Sequence, residues 1–343
     1  MPLFLSLLWR ETENDPALRQ KALAGLRRYQ QATRNDAAQH GNVHARKGNA
    51  RLLHLGQPAA QQECPARSPV VLIPSLVNSH HILDLSERTS LAAHLRREGY
   101  DPWLIDWGEP DIQDGGLDIA QHIEQILLPL LRSIGRPPIL VGYCLGGTIA
   151  IAAAQLLPAS ALVTIATPWH FERHPDDHRA LIDKLWAEAK PLCEQLGYVP
   201  MEVLQSGFWA LDPNRTVRKY AGFADIAEGS EQERAFLAVE DWANEGAPLS
   251  YAVGRDLFER LYAEDHSGRD LWHVGSEAIR PSALLCPSLS IRSSTDRIVP
   301  AASSPDLAEV MDSTLGHVGM IVSGRAPEDI WLRLSDWLSR HTR

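Results

Sequence analysis

Residues 138–150, Pro-Ile-Leu-Val-Gly-Tyr-Cys-Leu-Gly-Gly-Thr-Ile-Ala, constrain the fold of this chain more than any other stretch. Residues 139–141 are a short apolar, partly β-branched run, the pattern of a fully buried strand. Gly142 and Gly146 flank Cys144 and allow a sharp turn, and 148–157 is rich in Ala, Ile and Leu, with helical character. Strand, glycine-flanked turn and helix together make the geometry of a nucleophile elbow, here with Cys144 where serine is usual. The turn is strained, and a side chain beside the nucleophile would collide with strand or helix, so the glycines are required. The elbow sets Cys144 at a helix N-terminus, where the dipole and free N–H groups favour thiolate and oxyanion. The competing reading is a structural cysteine in a glycine-rich turn, since cysteine is among the most buried residue types.

Around this segment the chain alternates. Runs at 50–55, 69–74, 99–107, 161–166 and 286–292 read as strands, and 57–68 as a polar loop. One helix is expected to end at Arg97, capped by Ser86 or Ser90, and another to cover 119–134. The alternation predicts an α/β fold, a mainly parallel sheet with helices on both faces. Leu18, Ala22, Leu26 and Tyr29 fall at helical intervals, so 1–47 reads as one amphipathic helix and a link. After Thr167-Pro168 the rhythm breaks, and 169–284 reads as a mostly helical cap inserted into a core of 48–168 and 285–343. Residues 301–343 read as helix, loop and a final amphipathic helix over 330–338.

Two residues beyond the cap complete a constellation with Cys144. Asp296 lies just past the strand at 286–292, where a parallel sheet presents functional side chains, and His317 follows 21 residues later. Taken singly, Asp296 suits a turn and His317 suits a loop. In the order nucleophile, acid, histidine they form a catalytic triad. His317 would take the Cys144 proton, while Asp296 would fix the imidazole tautomer. The oxyanion donors expected are the backbone N–H of Leu145 and one from the loop after the second strand, at Leu76 or Val77. His80 and His81 in that loop read as solvent-facing. His170, His174 and His178 have the spacing of helical metal ligands, but Pro175 interrupts them and no Cys or Glu completes a set, so no metal is expected. Trp186, Trp209, Phe236, Trp242, Phe258 and Tyr262 read as the core of the cap.

Composition sets the class. The 343 residues are 44% hydrophobic and 22% charged, values of an ordinary globular protein. A formal charge of −10 argues against non-specific nucleic-acid binding. Cys64, Cys144, Cys193 and Cys286 include no CxxC pair, which fits a reducing cytoplasm. The apolar stretch 2–9 is only about a third of a membrane span, so no transmembrane segment is expected.

With these residues laid out, 45–343 resembles the polyhydroxyalkanoate (PHA) synthases, especially the short form that works with a second subunit. The resemblance rests on Gly142-Tyr-Cys-Leu-Gly-Gly147 together with Gly316-His-Val-Gly-Met-Ile-Val-Ser-Gly324. It is supported by Pro74-Ser-Leu-Val-Asn78, Ile82-Leu-Asp-Leu85, Thr164-Ile-Ala-Thr-Pro168, Val239-Glu-Asp-Trp242 and Asp296-Arg-Ile-Val-Pro300. The family's Cys, Asp and His fall on Cys144, Asp296 and His317. Two departures stand out: Arg297 occupies the place where the family usually has histidine, and the stretch from Asp296 to His317 is short, which would trim the strand before the histidine loop.

The resemblance implies a 3-hydroxyacyl-CoA thioester as substrate, a growing polyester on Cys144 and no cofactor. It places Asn78, Asp84 and Arg297 as candidates for positioning the substrate. It implies a second synthase subunit, a homodimer or hetero-oligomer, and a cytoplasmic location at the polyester granule surface. A thioesterase or polyester hydrolase would share every triad residue, and a non-catalytic granule protein would need none of them.

Overall fold

A computed structural model of the protein describes residues 2–34, 41–56, 68–86, 88–110 and 116–342. The loop expected at 57–68 and Cys64 lie almost wholly outside the described residues.

Eight strands form one sheet: β1 (Asn42–Lys47), β2 (Ala50–His54), β3 (Pro69–Ile73), β4 (Asp101–Asp106), β5 (Ile139–Tyr143), β6 (Ala161–Ile165), β7 (Ser288–Ser293) and β8 (Glu309–Ser313). Their spatial order is β1-β2-β4-β3-β5-β6-β7-β8. β1 and β2 run antiparallel, as do β2 and β4, and every pairing from β4 to β8 is parallel. Alternate residues face opposite layers. Val71, Ile73, Leu140 and Leu162 pack on one side; Val70, Leu72, Val141 and Val163 pack on the other. A parallel strand buried on both faces has to be a continuous apolar run, and the expected α/β architecture follows.

Helices α1 (Pro2–Glu11) and α2 (Pro16–Gln31) precede the strands in the chain; α3 (Leu91–Arg97), α4 over 119–132 and α5 (Leu145–Leu156) connect successive strands from β3 to β6. Ser90 is the cap of α3, its Oγ accepting the Ala93 N–H at 2.7 Å. Between β6 and β7 come α6 (Asp176–Leu196), α7 (Met201–Leu211), α8 (Pro213–Phe223), α9 (Glu231–Asn244) and α10 over 251–263. After β8 the chain ends in α11 (Leu332–His341).

The ends of the chain depart from expectation. Within 1–47 the described residues, 2–34 and 41–47, hold two helices and a strand rather than one helix and a link: α1 ends at Glu11, and Asp15 caps α2, which Pro16 begins. The apolar face of these helices packs on the cap, where Phe4, Leu8, Ala22 and Leu26 meet Val217, Tyr220 and Ala221 of α8. The stretch read as helix after residue 301 contains β8, which pairs in register with β7 from Leu289 opposite Glu309 to Ser293 opposite Ser313. The short Asp296-to-His317 interval therefore does not remove the strand.

Candidate active site

The C-terminal ends of β3, β5, β7 and β8 deliver the expected residues to one edge of the sheet. Cys144 follows β5 directly and begins α5, with φ 55° and ψ −132°. For a non-glycine residue such a backbone costs on the order of 1–3 kcal/mol. Two hydrogen bonds hold it: Cys144 N–H donates to Ile165 O at 2.9 Å, and Gly147 N–H donates to Cys144 O at 2.9 Å. The flanking glycines are required by contact. A Cβ on Gly142 would lie 2.4 Å from Gly147 Cα, and one on Gly146 would lie 2.2 Å from the Ile73 carbonyl oxygen. Neither neighbour can yield, because both are backbone. Gly146→Ala is therefore expected to lower the unfolding free energy by about 3 kcal/mol or more, the upper end of overpacking costs, as a urea titration would read. A loss below about 1 kcal/mol would mean the elbow is looser than described.

Asp296 and His317 meet as the sequence predicts. His317 Nδ1 and Asp296 Oδ2 are 2.7 Å apart, and the Asp296 side chain is fully buried. Asp296 Oδ1 accepts the N–H groups of Ile298 at 2.8 Å and Val299 at 2.9 Å, which fixes the carboxylate before the histidine arrives. Tyr143 supports the ring from behind, its centroid 5.2 Å from that of His317. Burial alone would lower the His317 pKa, but the Asp296 carboxylate and the Cys144 sulfur outweigh it and push it up to about 10 from 6.5.

The consequence for stability follows from the sign. A histidine with a raised folded-state pKa stabilises the protein fully below about pH 6.5, and the contribution is lost as pH rises through about 10. The stability gap between the native protein and Asp296→Asn is expected to shrink over that window in urea titrations. A constant gap would place the proton elsewhere.

Cys144 lies where two cavities meet. The larger, about 190 Å³, contains Cys144 and His317 and is rimmed by Asn78, Gln205, Lys219 and Asn244. The smaller, about 70 Å³, is walled by Leu185, Leu204, Phe258 and Tyr262. Val77, Phe208 and Ile298 line both. Burial raises the Tyr262 pKa, and the charges at Cys144 and Asp296 raise it further.

Other expectations fare differently. Leu145 opens α5 as required. Leu76 is half-buried, and the Val77 N–H is already donated to Ser75 Oγ at 3.0 Å. Asn78 faces the larger cavity, but Asp84 lines neither: it accepts from Ser90 and braces the start of α3. Arg297 is also turned away, donating to Asp212 of the cap at 2.8 Å, because its exposed guanidinium finds that α8 capping carboxylate. His80 is not solvent-facing, since its Nδ1 sits 3.2 Å from Asp106, a buried carboxylate that also pairs with Arg51; His81 is exposed.

His170 pairs with Asp306, and His174 bonds Phe171 O. Burial is the main cause pushing the His174 pKa down to about 4. Among the described residues no cluster of three or more metal-ligating side chains occurs, and no helix is long and apolar enough to cross a membrane.

The aromatic residues of the cap are core and wall at once. Trp186 stacks on Phe258 at 4.7 Å, whereas Trp209 and Trp242 face the larger cavity. Gln205, Phe208, Lys219 and Asn244 were not foreseen, because cap helices carry no motif that marks an inward face. A glycine inside α7, Gly207, was the one available signal.

A strained cysteine at a strand-to-helix turn, followed in chain order by a buried Asp–His pair, defines an α/β protein equipped for nucleophilic acyl chemistry. The chain belongs to the alpha/beta hydrolase fold family, whose sequence model matches residues 68–320. More particularly, it is similar to the Poly(3-hydroxyalkanoate) polymerase subunit PhaC of Haloferax mediterranei, 28% identical over 87% of this chain and 63% of that protein. It is also similar to the subunit of the same name from Synechocystis sp., 28% identical over 84% of this chain and 81% of that one. The resemblance read from the motifs is thereby borne out. The chain spans less than two thirds of the Haloferax relative's length. Among solved structures it is similar to the Paleococcus ferrophilus monoacylglycerol lipase, with a TM-score of 0.51 and 16% identity over 85% of this chain and 99% of that one, a likeness of fold alone.

Proposed function

We propose that this chain polymerises 3-hydroxyacyl-CoA into polyhydroxyalkanoate through a thioester on Cys144. The observation that carries the reading is the strained Cys144 sharing a cavity with a His317 already bonded to Asp296, in a chain similar to PHA polymerase subunits. His317 takes the Cys144 proton, the thiolate attacks the acyl-CoA carbonyl, and the carbon–sulfur bond to CoA breaks. The proton leaves with the CoA thiol. Thioester-to-thioester exchange changes the free energy little, a reason for cysteine rather than serine. The hydroxyl of one 3-hydroxyacyl unit, deprotonated by His317, then attacks the next thioester carbonyl; the ester forms as that carbon–sulfur bond breaks, and the departing thiolate takes the proton back from His317.

The amides of Leu145 and of Leu76 or Val77 receive the oxyanion, Val77 after giving up Ser75 Oγ. The exchange is redox-neutral and calls for no resident cofactor. The cap keeps water from the acyl-enzyme, which favours chain growth over hydrolysis. A second synthase subunit and a place at the granule surface belong to the same proposal.

Incubation of the purified protein with 3-hydroxybutyryl-CoA, with thiol and insoluble polyester followed together, tests it. Thiol with polymer supports a polymerase, and thiol with only soluble hydroxy acid makes the protein a thioesterase.

A further inference from the structure

The two cavities meeting at Cys144 differ in chemistry. The larger offers amide and ammonium groups at its rim, whereas every side chain lining the smaller is hydrocarbon or aromatic apart from the Cys144 thiol and the Tyr262 hydroxyl. An acyl thioester of CoA has the same asymmetry, with a pantetheine arm of amides on one side of the sulfur and an alkyl-bearing acyl group on the other. Leu145 and Val77, whose amides the proposed function assigns to the oxyanion, line the smaller cavity, so a carbonyl there would keep its alkyl group among apolar walls.

We infer that the smaller cavity receives the alkyl substituent of the acyl group bound to Cys144, and that Gly207 and Phe208 of α7 set how long that substituent can be. The inference rests on the acyl-enzyme reading above. Gly207 lies inside a helix, where glycine costs about 1 kcal/mol relative to alanine. It forms part of the cavity wall, and a Cβ there would sit 3.2 Å from Leu185 Cδ2 and 4.0 Å from Ile182 Cδ1. A side chain at 207 would therefore press on Leu185 and Ile182 of α6, which themselves line the cavity, and push that wall into it. Phe208, the next residue, lines both cavities and is the bulkiest side chain that they share. At about 70 Å³ against about 190 Å³ for the larger, the smaller cavity is the more confining of the two.

The two positions act in opposite directions. Gly207→Ala and Gly207→Val shorten the cavity, and Phe208→Ala joins it to the larger one. The experiment measures kcat/KM for CoA release from 3-hydroxybutyryl-, 3-hydroxyhexanoyl- and 3-hydroxyoctanoyl-CoA by the native protein and all three variants. Intact mass is used to detect the acyl group on the protein. Gly207→Val is expected to lower the hexanoyl-to-butyryl ratio about tenfold, and Phe208→Ala to raise the octanoyl-to-butyryl ratio about tenfold, the size of one-to-few-methylene discrimination. Gly207→Ala, which favours the helix, keeps the test open should the valine variant unfold, and it is expected to move the ratio in the same direction by less.

Acylated protein with ratios unchanged within twofold in Gly207→Ala and Phe208→Ala would overturn the inference and leave the acyl-enzyme reading standing. Absence of acylation by all three thioesters would overturn both.

Discussion

Cys144→Ala is expected to release no CoA above background from 3-hydroxybutyryl-CoA, a loss of at least about a thousandfold, while folding normally. The magnitude follows from the mechanism. With the sulfur gone no covalent intermediate forms, and water is the only nucleophile left. Folding should survive because the strain at this position is a backbone property, held by the bonds to Ile165 and from Gly147. Neither bond involves the side chain. Circular dichroism melting run beside the thiol assay separates the two effects. A folded variant retaining a tenth of native activity would remove Cys144 from the chemistry.

The second large effect is expected from Asp296→Asn. The asparagine carbonyl can still accept the Ile298 and Val299 amides, so the loop keeps its shape. Its amide nitrogen, however, faces His317 Nδ1, where the carboxylate oxygen now sits at 2.7 Å. Two donors cannot meet there, and the imidazole must place its proton on Nε2, the nitrogen that should accept from the cysteine. Loss of the correct tautomer in a triad costs about 10⁴ in kcat, and a fall of that order with a smaller change in KM is the expected kinetic result. Asp296→Ala is expected to do further harm, since two buried amides would lose their acceptor at about 1–3 kcal/mol each. If Asp296→Asn kept kcat within a factor of ten, Asp296 would be a structural residue of the loop.

How much of this was legible in the sequence depends on whether the determinants are local. The elbow was legible because strand, strained turn and close approach of α5 all demand particular residues within a few positions. The triad followed, because chain order and the ends of strands are sequence properties. The edge strands were not legible. β1 is almost wholly exposed and β8 buries only Met311 and Ser313, so neither carries an apolar pattern. Partners of exposed or amphipathic groups were also beyond reach. Nothing in Arg297 or Asp84 announces Asp212 or Ser90, and nothing in the apolar face of α1 and α2 names α8 as its cover. The cap helices pose the same difficulty for the site: Phe208 and Lys219 become cavity walls only once α7 and α8 are placed above Cys144.

The most direct test of the central claim is the mass of the protein after brief exposure to 3-hydroxybutyryl-CoA, with peptide mapping to locate any added group. A 3-hydroxybutyryl unit, or a series of such units, on the peptide containing Cys144, absent from Cys144→Ala, is the predicted result. CoA release by a protein whose Cys144 peptide stays unmodified under the same conditions would contradict the account.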